Sequence, residues 1–333
     1  VIVTLPVILS LFQGRAGRLE VFSVFSYQRS QEDLQVILDQ GGEKMGSLSF
    51  NLFHSEGVNF ARGIFERWFN HFSGRFLFFE GDWQNPRHSA PNHGMLLLTD
   101  LVLLSAGVVG LLRGKGRSSK FILLWLILTP LPAALSRDQV HAVRALNMVI
   151  PLTVLSAIGL TGILRWINRI KSSMIRYSYS FLLAAAMLGA VIYYLDSYFI
   201  HLPVHNAKHW FYGYKQVIEE ITPIQNSYQN IVFQQSYNQP YIYFLFFQQY
   251  DPVRYQAQAK LAETGIDVGL VESLDNISFS SFSWPYPTDQ KGTLVIADSV
   301  GIPHDFKDDD YQFISEIKYP DDSMTAFRIV EVK

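Results

Sequence analysis

Residues 94–200 read GMLLLTDLVLLSAGVVGLLRGKGRSSKFILLWLILTPLPAALSRDQVHAVRALNMVIPLTVLSAIGLTGILRWINRIKSSMIRYSYSFLLAAAMLGAVIYYLDSYFI. Four apolar runs stand in this stretch, at 94–112, 120–136, 147–166 and 180–200. Each approaches the ~20 apolar residues that cross a bilayer. Pro130 and Pro132 interrupt the second and predict a kinked or unwound end, which is tolerated where backbone is buried in protein or lines a cavity. The loop RGKGRSSK carries Arg113, Lys115, Arg117 and Lys120, and the loop RWINRIKSSMIR carries Arg165, Arg169, Lys171 and Arg176; neither holds an acidic residue. Basic loops stay in the cytoplasm, so segments 13–93, 137–146 and 201–333 are expected on the outer side. The fold expected is a polytopic α-helical membrane protein, with a partial first span plus four spans and interfacial helices in the large external loop 13–93. A C-terminal soluble α/β domain follows, giving a membrane domain at 1–200 and an exported domain at 201–333.

Composition fits that division. Only 17% of the 333 residues are charged, against about 25% in soluble domains. Residues 1–200 hold 18 Lys and Arg against 12 Asp and Glu, while residues 201–333 hold 9 against 17. A basic membrane half thus precedes an acidic half, and nothing in the charge pattern suggests nucleic acid. The sequence has no cysteine, which excludes disulfides and thiolate metal sites. It opens on the apolar stretch VIVTLPVILSLF, too short to span and without the basic start of a signal peptide. The expectation is the end of a helix that begins further upstream, the chain being the C-terminal part of a larger membrane protein.

In the outer segments, Ala61, Ile64, Phe65, Trp68 and Phe72 recur at helical spacing, predicting a helix over Val58–Phe72. Aromatic on one face and basic on the other, it suits either the membrane interface or packing on the protein. A short helix is expected at Gln31–Gln40 and an extended segment at Ser73–Asp82. After residue 201, helices are expected at Trp210–Ile221 and Gln239–Tyr250. Strands are expected at Asn230–Gln235, Ile277–Ser283, Thr293–Ala297, Tyr311–Ile317 and Ala326–Val332, the last two joined by a turn-rich Tyr-Pro-Asp-Asp-Ser. The acidic run Asp308–Asp310 lacks the spacing of a calcium loop. Asn276-Ile-Ser278 fits a glycosylation sequon, relevant only in a eukaryotic secretory setting.

None of GxxxxGK[ST], HExxH or GxSxG occurs. What remains is charge at the outer helix ends. Glu80, Asp82, Arg87, His88 and His93 precede the first run; Arg137, Asp138, His141 and Arg144 lie between the second and third. Ionisable groups at membrane depth are costly unless paired or functional, and Arg grips phosphate with paired donors. Arg87, His88, His141 and Arg144 are therefore candidate ligands for a lipid phosphate or diphosphate head group. Glu80, Asp82 and Asp138 are supporting carboxylates, Asp138 pairing with Arg137 or Arg144. The competing use of these charges is simple solvation at the interface. A divalent metal held by His88, His93 and a carboxylate is a third use, without diagnostic spacing; no metal is assigned.

These residues carry a resemblance. FERWFNHFSGRFLFFEGDWQNPRHSAPNHGMLLLTDLVLLSAGVVGLL resembles the second half of membrane glycosyltransferases of the dolichyl-phosphate-mannose–protein mannosyltransferase superfamily, which includes the bacterial aminoarabinose transferase type with the C-type glycosyltransferase fold. That group carries an FF-x-GD…RH…PG-x-G-x-L segment before a helix and a P-H-A-x-R segment between later helices. Phe78-Phe79-Glu80-Gly81-Asp82, Arg87-His88…Pro91-Asn92-His93-Gly94 and Val140-His141-Ala142-Val143-Arg144 correspond here. Asn92-His93 stands where a Gly-x pair is common and Val140 where Pro is common. The resemblance covers roughly residues 1–200. The segment Ser236-Tyr-Asn-Gln-Pro-Tyr-Ile-Tyr-Phe is similar to the exported C-terminal domains of some bacterial members.

The resemblance implies a sugar transferred, with inversion, from a polyprenyl-phosphate donor to a lipid, glycan or protein acceptor at the outer face of the plasma (inner) membrane. It implies Arg87, His88, His141 and Arg144 on the donor phosphate, and a catalytic carboxylate in a first external loop ahead of this chain, so that no catalytic base is assigned within it. The alternative is a membrane-anchored binding or assembly protein acting through its exported domain. A transporter is disfavoured because no repeat and no charged residue in the middle of a confident span is seen.

Overall fold

A computed structural model describes residues 21–114, 116–235, 239–262, 269–306, 309–321 and 324–333. The partial first span, Lys115, Ser236-Tyr237-Asn238 and Asp308 lie outside the described residues. The chain divides into two compact units, Val1–Pro203 and Val204–Lys333.

In the first unit, helix α1 (Gln31–Gly41) starts where the Ser30 hydroxyl oxygen accepts the Asp33 N–H at 3.0 Å, and stops at Gly42 in the left-handed region, φ 60°. Helix α2 (Glu56–Asn70) covers most of the expected Val58–Phe72 helix. Its Trp68 indole donates to the Ile127 carbonyl at 2.8 Å, while Phe65 and Phe69 stay exposed. The expected extended segment at Ser73–Asp82 is instead one wide helical turn, Arg75–Phe79, closed by the Glu80 N–H donating to the Arg75 carbonyl at 2.8 Å. The Ser73 hydroxyl caps its start by accepting the Phe76 N–H at 3.2 Å. That turn puts Phe76, Leu77 and Phe78 into the core.

The expectation of four or five spans is overturned. Among the described residues two helical stretches are long and apolar enough to cross a membrane, Leu146–Asn168 and Ser173–His205. Run 94–112 folds differently because its first residues form backbone pairs: Met95 N–H donates to Phe76 C=O at 3.1 Å and Leu96 N–H to Leu77 C=O at 2.8 Å. Asp100 then accepts the Leu97 N–H at 3.1 Å and caps helix α3 (Leu98–Arg113), leaving 16 residues, about 24 Å. Run 120–136 gives helix α4 (Arg117–Leu128) of 12 residues, followed after Pro130 by a separate turn, Leu131–Ala134. Neither reaches the ~30 Å of a hydrocarbon core. The other two runs form helix α5 (Val149–Asn168) and helix α6 (Ser173–Asp196). α6 buries none of its residues within the chain, and Phe181, Leu182, Leu188 and Ile192 are exposed. A core helix of a soluble domain would cover that face; an apolar solvent covers it as well.

The second unit is a mixed α/β layer. Its six-stranded sheet runs β2–β3–β1–β4–β6–β5, with β1 (Ile231–Gln234), β2 (Ser273–Leu274), β3 (Ile277–Ser280), β4 (Leu294–Ala297), β5 (Tyr311–Lys318) and β6 (Thr325–Val332). β1 pairs in parallel with β3 and β4, while the β5–β6 hairpin is antiparallel. Ile231, Val232 and Phe233 on β1 and all four residues of β4 are buried, as central strands covered on both faces require. Helix α7 (Tyr214–Ile221) packs Tyr214, Val217, Ile218 and Ile221 against the sheet, the i, i+3, i+4, i+7 stripe of an amphipathic helix. Helix α8 (Tyr241–Phe247) adds Tyr241 and Phe244 to the same core.

Candidate functional site

The loop before Gly94 and the loop before Leu146 are stitched together by one carboxylate. Asp82 is fully buried. Its Oδ1 accepts the Asn85 backbone N–H at 3.0 Å and the Asn85 side-chain amide at 3.1 Å. Its Oδ2 accepts the Ala142 N–H at 2.8 Å and lies 2.8 Å from His88 Nδ1. Four contacts saturate the roughly four lone-pair positions of a carboxylate. The Gly81 backbone before it has φ +70°, and a Cβ there would meet the Ser89 Cβ at 2.5 Å, so the turn that aims Asp82 inward requires glycine.

With Nδ1 directed at Asp82, His88 has Nε2 left for a ligand, and its ring lines a cavity of about 290 Å³. The His141 ring lies 5.1 Å from the His88 ring, centroid to centroid. His141 Nδ1 accepts the Arg144 backbone N–H at 3.3 Å. Arg144 is held by Asp138, Nη1 to Oδ2 at 2.9 Å, and its guanidinium lies 5.1 Å from the Phe22 ring centroid. Arg137 sits at the same distance from that ring and donates to the Tyr27 hydroxyl at 3.1 Å. Asp82, His88, His141, Asp138 and Arg144 are thus gathered in one place.

Two sequence candidates fall elsewhere. Arg87 is exposed and makes no hydrogen bond or ion pair among the described residues. Glu80 pairs with Arg75 at 2.6 Å, about half exposed, and takes no part in the centre. The metal set of His88, His93 and a carboxylate does not assemble. His93 is buried against Tyr193 and Tyr194, its Nδ1 2.8 Å from the Gly94 carbonyl. A different trio, Asp82, His88 and His141, has ligand atoms within 4.8 Å of one another. It could hold a metal ion only if Asp82 gave up N–H partners it now accepts.

His71 escaped sequence reading. It is fully buried, with Nδ1 2.7 Å from the Arg67 carbonyl and Nε2 accepting the His141 N–H at 3.2 Å. That pair of contacts is satisfied by the neutral ring protonated at Nδ1. His71 and Asp82 together fix the backbone of His141 and Ala142. No local signal marks it, since a lone histidine near a helix end has no pattern.

Burial pushes the His71 pKa below the usual 6.5. Burial first, and then the Arg144 charge, push His141 down as well. A depressed histidine binds protons more weakly folded than unfolded, so its contribution to stability is full above pH 6.5 and is lost as pH falls toward the folded pKa. The melting temperature should therefore drop between pH 7.5 and 5.5, and His71→Gln should flatten the slope. An unchanged slope in His71→Gln would show that another group governs it.

Comparison with protein-family models, with curated proteins and with solved structures gives no match in any of the three.

Proposed function

We propose that this chain belongs to a membrane glycosyltransferase, and that the centre around Arg144 and His88 holds the phosphate of a polyprenyl-phosphate sugar donor. The observation that carries this reading is the juxtaposition of two environments. His88 lines the cavity with Phe76, Leu77, Met95, Leu96, Val143 and Leu152. The His141 ring lies 5.1 Å from that of His88, and Arg144 stands in sequence between the lining residues Val143 and Ala145. An apolar cleft next to an arginine and a pair of histidines matches a ligand with an apolar tail and an anionic head. The cleft reaches Leu146, Met148 and Val149 at the start of a membrane-length helix, where a lipid tail could leave for the bilayer. The sequence resemblance at Phe78–Asp82 and Val140–Arg144 supports the same assignment.

In this reading Arg144 faces the charge that grows on the departing phosphate. Preorganised donors at such a position contribute about 3 kcal/mol each in other enzymes. Asp138 keeps the guanidinium oriented and Asp82 keeps the His88 ring oriented, both before substrate arrives. Because the Asp82 lone pairs are already committed, phosphate is assigned to this centre rather than a divalent ion. No residue described here is given the role of base toward the acceptor. Arg169 and Lys171 lie between the two membrane-length helices, with Arg165 and Arg176 in the adjoining helical turns, and this basic end is assigned to the cytoplasm. The Arg144 centre then faces the extracytoplasmic side of the plasma membrane.

The test is binding and transfer in nanodiscs. Polyprenyl phosphate should bind and the matching alcohol should not, and Arg144→Ala should weaken binding about tenfold or more. Transfer from a polyprenyl-phosphate sugar should fall in parallel. Equal affinity for phosphate and alcohol, or an unaffected Arg144→Ala, would overturn the assignment.

A further inference from the structure

The second unit contains a cleft of about 500 Å³ that has no part in the proposed phosphate centre. Its walls are aromatic. The Trp284 ring lies 4.6 Å from that of Tyr311 and 6.1 Å from that of Phe306, the latter pair at 81°. Tyr311 is buried and pinned by its hydroxyl donating to the Tyr286 carbonyl at 2.5 Å. Pro285, Pro287 and Pro303 complete the wall. Proline and buried rings have little freedom left to lose, so the cleft is preorganised.

Two carboxylates, Asp305 and Asp310, line the same space. Both are exposed, and neither has a hydrogen bond or ion pair from its side chain among the described residues. The Asp310 charge, after burial, helps push the Tyr311 hydroxyl pKa up, so negative potential reaches the aromatic wall. Carboxylates without a partner among the described residues, set beside electron-rich ring faces, repel anions and give a neutral ligand no use for the charge. A cation with an apolar shell uses both.

We propose that this cleft binds a small organic ammonium compound, with the cation against the Trp284 and Phe306 rings and its charge balanced by Asp305 and Asp310. A free metabolite and a lipid head group present this chemistry equally.

The experiment is calorimetry on the full chain in maltoside micelles, which carry no ammonium group. Choline is the free probe and glycerophosphocholine the head-group probe. The neutral carbon isostere of choline controls for shape. At least one cationic probe should bind saturably in the millimolar range, and the isostere should bind about tenfold more weakly. The double substitution Asp305→Asn, Asp310→Asn should cost a similar factor at an unchanged melting temperature, since both side chains are exposed. Trp284→Leu should also abolish binding. No saturable binding of either cationic probe would overturn the proposal. So would an isostere that binds as well as choline, or a double variant of undiminished affinity. None of these results bears on the Arg144 centre, which shares no residue with this cleft.

Discussion

Asp82→Ala is expected to lower the stability of the first unit by about 3–5 kcal/mol and to abolish binding of polyprenyl phosphate. The carboxylate is fully buried and meets four donors, from Asn85 twice, from Ala142 and from His88. Removing it leaves those donors desolvated without partners, and each orphan costs about 1–3 kcal/mol. Asp82→Asn keeps the shape but aims an amide N–H at groups that are themselves donors, so it should recover only part of the loss. Amide hydrogen exchange gives the local readout. Protection at Asn85 and Ala142 should disappear in Asp82→Ala. Glu80→Ala, two residues away, is the control. Its partner Arg75 is half exposed, and such pairs are worth at most about 1 kcal/mol. Unchanged protection at Ala142 would show that Asp82 does not hold the second loop, and the phosphate reading would lose its frame.

Much of this centre could be read from sequence, because polar residues beside long apolar runs are conspicuous. Asp82, His88, Asp138, His141 and Arg144 stand in loops where charge has to be explained. Their mutual geometry could not be read. Asp82 meets the Ala142 N–H across 60 residues of chain, and His71 meets His141 across 70. His93 has the same local setting as His88, and only the tertiary packing of Tyr193 and Tyr194 against it separates their roles. Five of the six strands of the sheet after residue 201 were legible because each is a short run rich in branched and aromatic residues bounded by turn formers; the two-residue strand Ser273–Leu274 was not.

The helix count failed for a specific physical reason. Hydropathy measures apolar length and does not see where backbone hydrogen bonds go. Met95 and Leu96 count as membrane residues by composition, yet their N–H groups are taken by Phe76 and Leu77. Asp100 was visible in the run, but its capping of the Leu97 N–H was not. Pro130 and Pro132 predict a kinked or unwound end, and α4 stops at Leu128, just before them. By contrast the stretches that contain α5 and α6, Leu146–Asn168 and Ser173–His205, run for 23 and 33 residues, enough for a span.

Gly159→Leu is expected to force α3 and α5 apart, at a cost of about 3 kcal/mol. A Cβ at Gly159 would lie 1.8 Å from the Leu103 carbonyl oxygen and 2.9 Å from the Gly107 nitrogen; one at Gly107 would lie 2.1 Å from the Leu155 oxygen. These obstacles are backbone, so no side-chain rotation relieves them. The two glycines let the helices touch through their main chains, as small residues do where helices pack in lipid. The contact also aligns Ser156 to donate to Asp100 Oδ1 at 3.0 Å, so one substitution removes packing and a hydrogen bond together. Gly162, three residues on, has nothing within 4 Å of an added Cβ. Gly162→Ala should therefore be neutral or stabilising by up to about 1 kcal/mol. Thermal unfolding in micelles separates the two, and equal melting temperatures would mean that the glycine contact does not hold these helices together. Because Met148, Val149 and Leu152 of the same polypeptide stretch line the cavity beside His88, a displaced α5 should also weaken polyprenyl phosphate binding, although Gly159 itself touches neither the cavity nor a charged group.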